Sequence, residues 1–387
     1  MNDLSYILNE LGEDRDQYHG SISPPIYQSS NFAFPSVQTM RDALAHEMDI
    51  PFYSRGNNPT VTLLGKKLAA LAGSEEALLF ASGSAAIASA VIANVKQGDH
   101  VVCVQKPYSW TGKLLKNLLS RFGVETSYIE GTRAEEWAEA CRDNTAVFMM
   151  ESPNSMTFEL QDIPAVAEIA KARGIVTILD NSYATPLNQR PIGMGIDITC
   201  HSASKYLSGH SDVVAGVLCC TRKMAEKIFA GEFMTLGGVI SPQNAWLMLR
   251  GLRTLGIRVE RVAESAPKVV SFLEQHPKIE KVIYPFSESF PQYDLATRLI
   301  DRPGGMFSIL LKTDELAACD RFCDALTRFL LACSWGGHES LIFPLCTLFG
   351  SSNYNESPLP FNFARIYIGL EDPEVLIADL DQALAKV

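Results

Sequence analysis

Between about residue 60 and residue 240, short apolar runs alternate with stretches whose apolar positions recur at helical spacing. The runs "ALLFA" (77–81), "HVVCV" (100–104), "VETSYI" (124–129), "AVFMM" (146–150) and "IVTIL" (175–179) predict short strands. Their near-continuous apolar character fits strands covered on both faces. Between them, "VTLLGKKLAALAG" (61–73), "SGSAAIASAVIANV" (82–95) and the stretches 110–121, 133–142 and 164–173 predict helices. The alternation predicts an α/β fold, a mostly parallel sheet with helices on both faces.

Beyond residue 240 the pattern changes. "SPQNAWLMLRGLRTLGIRVERVAESA" (241–266) predicts one long helical stretch able to connect two lobes. After it, "EKVIY", "MFSILL" and "ARIYIG" predict strands, with helices near 314–330 and 373–386, giving a smaller α+β domain. The opening residues, including "SPPIYQSSNFAFP", have no period and predict an arm that wraps the chain or reaches a neighbour. The expected organisation is an arm over 1–58, a ligand-binding domain over 59–245 and a C-terminal domain over 246–387.

Charge narrows the partners. With 33 basic and 44 acidic residues, the net charge of −11 argues against nucleic acid or an anionic membrane as the main partner. No run approaches the roughly 18 apolar residues of a membrane helix, and the acidic start lacks the order of a secretory signal. The nine cysteines are scattered, without paired CxxC or zinc spacing, so reduced thiols, no metal site and a cytoplasmic location are expected.

In a doubly wound sheet, ligands sit at the carboxyl ends of the strands. Three pieces of sequence fall there. "FASGSAA" places Ser82-Gly83-Ser84 between a strand and a helix start, where free amides favour an anion. "TILDNSYATP" puts Asp180 at a strand end, and "HSASKYLSGHSD" sets Lys205 among Ser202, Ser204 and Ser208. Singly these read as a tight turn, a cap and an unusual lysine. Together they supply a phosphate cradle, a carboxylate for a pyridine nitrogen and an amine for an aldehyde, the needs of pyridoxal 5′-phosphate. Neither GxGxxG nor GxxxxGK[ST] occurs, so a nucleotide or nicotinamide cofactor has no support.

From about residue 18 onward the chain resembles the cysteine and methionine metabolism family of pyridoxal-phosphate enzymes, which includes cystathionine synthases and lyases. "YSRGNNPT" (53–60), "LFASGSAA", "LDNSYATPLNQRP", "HSASKYLSGHSDVVAG", "LRGLRTLGIRVER" and "IYIGLED" carry the resemblance, in order. "ESPNSMTFELQDIP" (151–164) and "SWGGHESLI" (334–342) are similar to the bacterial cystathionine β-lyase branch.

The resemblance implies a fold type I transferase with a seven-stranded sheet. It gives Lys205 the cofactor and the shuttling of substrate protons, and gives Asp180 the pyridine nitrogen. Gly83, Ser84, Ser202 and Ser204 would bind the phosphate, Tyr108 would stack on the cofactor ring, and Arg365 would fork onto the substrate carboxylate beside Ser155 and Ser334. Tyr53 and Arg55 would reach a neighbouring subunit's phosphate, implying a homo-oligomer, a dimer of dimers.

The expected reaction is β-elimination from cystathionine or a related cysteine S-conjugate, a small amino-acid substrate. The alternative is γ-elimination or γ-replacement on a homoserine-derived or other γ-substituted amino acid. Cys333, before Ser334, matches neither the tyrosine of bacterial β-lyases nor the glutamate of many γ-acting relatives. His201, His210 and His338 read as packing or hydrogen-bonding residues, and Trp110 and Trp335 as core or pocket aromatics.

Overall fold

The computed structural model describes residues 3–351 and 359–387. The chain forms two compact units. The first holds Met1–Ser152, Gln161–Ser208 and Asp212–Thr254; the second holds Pro153–Leu160, Gly209–Ser211 and Leu255–Val387.

The first unit is built on seven strands: β1 (Glu76–Phe80), β2 (His100–Val104), β3 (Glu125–Ile129), β4 (Thr145–Glu151), β5 (Val176–Asp180), β6 (Ile198–Ser202) and β7 (Gly216–Cys220). Their order is β1-β7-β6-β5-β4-β2-β3. Strands β6, β5, β4, β2 and β3 run parallel, and β7 is antiparallel to both of its neighbours. The fold is therefore α/β with a mostly parallel sheet. Five strands lie where apolar runs predicted them. In β6, Thr199 and His201 alternate with Ile198 and Cys200, which hides a buried strand from a search for continuous apolar runs. The helix Pro59–Ala72 is capped by Asn58, and the helix Gly83–Ile92 by Ser82.

Two helical expectations are corrected. Residues 110–121 are not one α-helix: Ser109–Lys113 is α, Leu114–Leu118 is a π turn and Leu119–Phe122 is 3-10. A regular helix would align Leu118 with the buried Leu114. The wider turn brings Leu119 inside instead and leaves Leu118 exposed. The stretch 241–266 is also interrupted. One helix spans Pro242–Leu252, and a second, Leu255–Gln275, begins the long segment of the second unit. At the break, the amide and hydroxyl of Thr254 both donate to the Gly251 carbonyl at 3.2 Å.

The opening residues contain the helices Leu4–Asn9 and Val37–Ala45 and belong to the first unit. Lys67, 1% exposed, donates to the carbonyls of Ile7 and Leu8 at 3.0 and 3.2 Å and pairs with Glu13 at 3.2 Å. A buried ammonium needs such partners.

The second unit has a five-stranded sheet, order β10-β11-β12-β9-β8. Its strands are β8 (Ile279–Ile283), β9 (Met306–Leu311), β10 (Leu330–Leu331), β11 (Leu341–Pro344) and β12 (Phe363–Tyr367). Val269, Leu273, Phe307, Phe322, Ile366 and Leu380 lie in its core. All nine cysteines are free. Among the described residues, no helix is long and apolar enough to cross a membrane.

Candidate active site

The carboxyl ends of β4, β5 and β6 carry Glu151, Asp180 and Ser202, and the register pairs Glu151 with Asp180 and Asp180 with Cys200. Asp180 is buried. Its Oδ1 accepts the Ser182 amide at 3.0 Å and the Ser182 hydroxyl at 2.6 Å. The same hydroxyl accepts the Ser202 amide at 2.6 Å. Burial raises the Asp180 carboxyl above its ordinary range, while the two Ser182 hydrogen bonds and the charge of Lys205 pull the other way. A buried carboxylate with that balance is stabilised by a further cation, and a protonated pyridine nitrogen is one.

Lys205 follows β6 in a turn closed by its own amide on the Ser202 carbonyl at 3.1 Å. The turn is braced by Ser204, whose Oγ accepts the Ala215 amide at 2.9 Å and donates to the Ala215 carbonyl at 3.3 Å. Gly83 opens the helix after β1 directly against Ser202. A Cβ at Gly83 would sit 2.9 Å from Ser202 Cα, so only glycine admits this approach. Across the same turn, a Cβ at Gly216 would lie 2.0 Å from the Ser82 carbonyl oxygen. First-turn amides have no partner inside their helix. Those of Gly83 and Ser84 therefore begin the helix beside Ser202, with the Ser84 side chain exposed. The helix start, the serines, the buried carboxylate and the lysine within its electrostatic reach fit pyridoxal phosphate.

Tyr108 caps the helix Ser109–Lys113 with its side chain 40% exposed. Its amide donates to Glu151 Oε2 at 2.5 Å. Tyr53 and Arg55 are both exposed, with the guanidinium 5.5 Å from the Tyr53 ring centroid. His201, which precedes Ser202 in β6, is buried, and burial pushes its imidazole down to about 4, so it stays neutral.

In the second unit, β12 carries Arg365, in register with Ser308 of β9 and Phe343 of β11. Its Nη1 donates to the Ser155 carbonyl at 3.2 Å and lies 3.7 Å from Met156 Sδ. Ser308 fixes that segment by donating to the Met156 carbonyl at 2.8 Å. Arg365 and Ser155 are thus brought together. Ser334 holds φ at 82°, a left-handed conformation uncommon for serine, and is followed by buried Trp335. Cys333 is exposed.

Sequence reasoning missed two residues of this site. Ser182 was signalled by "DNS", an aspartate followed two positions on by a hydroxyl, a pattern common at turns. Glu151 gave no local signal, because its partner lies 43 positions earlier.

Comparisons with known proteins identify the family. A family model described as Cys/Met metabolism PLP-dependent enzyme matches residues 7–385. L-methionine gamma-lyase of Pseudomonas deceptionensis is 37% identical over 372 residues, 95% of this chain and 93% of the relative. Cystathionine gamma-lyase of Bacillus subtilis is 36% identical over 377 residues, 96% of each chain. The crystal structure of metB from Corynebacterium glutamicum superposes with a TM-score of 0.91 at 32% identity, covering 100% of this chain and 98% of that one. The chain belongs to the Cys/Met metabolism family of pyridoxal-phosphate-dependent enzymes.

Proposed function

We propose that the chain is a carbon–sulfur lyase that eliminates a thiol from the γ-carbon of an L-amino acid such as methionine or cystathionine. The observation that carries this reading is similarity along nearly the whole chain to relatives named as methionine and cystathionine γ-lyases. It favours γ-elimination over the β-elimination suggested by the sequence around Ser155 and Ser334, which becomes the competing outcome.

Pyridoxal phosphate, when bound, supplies the electron sink that makes the substrate Cα–H acidic. The residues of the chain do the rest. Asp180 keeps the ring nitrogen protonated, the Gly83, Ser84 and Ser202 turn holds the phosphate with Ser204 bracing it, and Tyr108 covers the ring. Arg365, with Ser155 and Ser334, takes the α-carboxylate. Lys205 Nζ removes the Cα proton and then a Cβ proton, and the Cγ–S bond breaks as the sulfur leaves with a proton. Water completes the balance, giving a thiol, 2-oxobutyrate and ammonia. Tyr53 and Arg55 serve the phosphate of a second copy, so the working unit is a homodimer or a pair of them.

Keto-acid identification across methionine, cystathionine, cystine and O-substituted homoserines tests the reading. 2-Oxobutyrate from a γ-thioether supports it. Pyruvate from cysteine derivatives alone would overturn it in favour of β-elimination, and a condensed thioether without keto acid in favour of replacement.

A further inference from the structure

Glu151 ends β4 beside Asp180 and is 5% exposed. A carboxylate so buried stays charged only when hydrogen-bonded. One of its partners is a backbone group, the Tyr108 amide, at 2.5 Å. Pro107 has no N–H, so the Tyr108 amide is the first donor available after Lys106 as the chain leaves β2. The Tyr108 carbonyl in turn accepts the amides of Thr111 and Gly112 at 2.9 and 3.1 Å. Both polar groups of the Tyr108 backbone are therefore held, while its ring projects with 40% exposure. The Glu151 charge is also felt at Cys103, whose thiol is pushed well up, first by burial and then by Glu151.

We propose that Glu151 is a positioning residue for Tyr108, anchoring its amide so that the ring meets pyridoxal phosphate at one fixed tilt. A hydrogen bond from an amide to a carboxylate is among the stronger ones in proteins. It fixes here the root of a side chain that packing leaves half open. The inference rests on the reading of Tyr108 as the residue that stacks on the cofactor. It adds that the stacking geometry is set from β4, the strand next to the one that carries Asp180.

The test combines amide exchange with cofactor titration. In the holoprotein, Glu151→Leu should accelerate hydrogen exchange of the peptide 106–112 by tenfold or more. Glu151→Gln, which keeps an acceptor oxygen, should hold it within about threefold of wild type. Titrating pyridoxal 5′-phosphate into stripped protein, Glu151→Leu should raise the Kd five- to tenfold, with Glu151→Gln near wild type. Combined with Tyr108→Ala, Glu151→Leu should add little to the loss from Tyr108→Ala alone. Additive losses, or unchanged exchange and Kd in Glu151→Leu, would overturn the inference. If Glu151→Leu does not fold, Glu151→Ala takes its place: accelerated exchange and a raised Kd support the inference, and unchanged exchange and Kd overturn it. Wild-type Kd in Tyr108→Ala would refute the reading of Tyr108 and the inference with it. An unchanged Glu151→Leu beside a weakened Tyr108→Ala refutes the inference alone.

Discussion

The Ser182 hydroxyl joins Asp180 to Ser202: it donates to Asp180 Oδ1 and accepts the Ser202 amide, each at 2.6 Å. One side chain thus couples the carboxylate proposed to meet the ring nitrogen to the start of the proposed phosphate turn, across adjacent parallel strands. Ser182→Ala removes a donor that lowers the Asp180 pKa, so the carboxyl rises further. Cofactor affinity should fall about tenfold, or about 1.4 kcal/mol, and more at pH 6 than at pH 8. Titration of stripped protein at both pH values checks the size and the sign.

On the proposed function, turnover depends on Lys205. Purified protein should show a visible absorption band that borohydride bleaches, and Lys205→Ala should lack that band while still binding cofactor. Its turnover should drop by at least 10³-fold, as expected for loss of a nucleophile and proton carrier. Wild-type rates in that variant would remove Lys205 from the mechanism.

His201 gives a pH dependence of stability. Its folded pKa of about 4 lies below the unfolded value near 6.5, so the folded state favours the neutral ring. This stability is complete above pH 6.5 and is lost as pH falls toward 4. The slope is up to ~1.4 kcal/mol per pH unit, about 3 kcal/mol in all. Denaturant unfolding of wild type and His201→Asn between pH 4 and 8 should show the slope in wild type and a flatter profile in the variant.

The exposed Tyr53–Arg55 pair bears on assembly. If these residues complete a second copy's site, Arg55→Ala and Lys205→Ala subunits are each inactive alone but form hybrids with one intact site. A refolded equal mixture should recover about a quarter of wild-type activity for random dimers. Recovery indistinguishable from zero, with hybrids verified by mass, would place the pair in its own chain's site.

Much of this was legible in the sequence because the decisive residues stand at ends of periodic runs. Asp180 closes a predicted strand, and Gly83 lies between a predicted strand and helix. Lys205 was conspicuous for its hydroxyl neighbours, although the strand before it was not, since Thr199 and His201 interrupt the apolar run while being buried. The π turn at Leu114–Leu118 could not be read, because it is set by which leucines find a core. Ser182 and Glu151 act through hydrogen bonds closed by tertiary structure. The inclusion of Pro153–Leu160 and Gly209–Ser211 in the second unit likewise depends on contacts distant in sequence.

L-Cystathionine tests the central claim most directly, because it carries a Cβ–S bond on one arm and a Cγ–S bond on the other. Incubated with the holoenzyme and followed by mass spectrometry, it should yield cysteine, 2-oxobutyrate and ammonia, all absent with Lys205→Ala. Homocysteine with pyruvate as the products of Lys205-dependent cleavage would contradict γ-elimination and assign the chain to the β-branch.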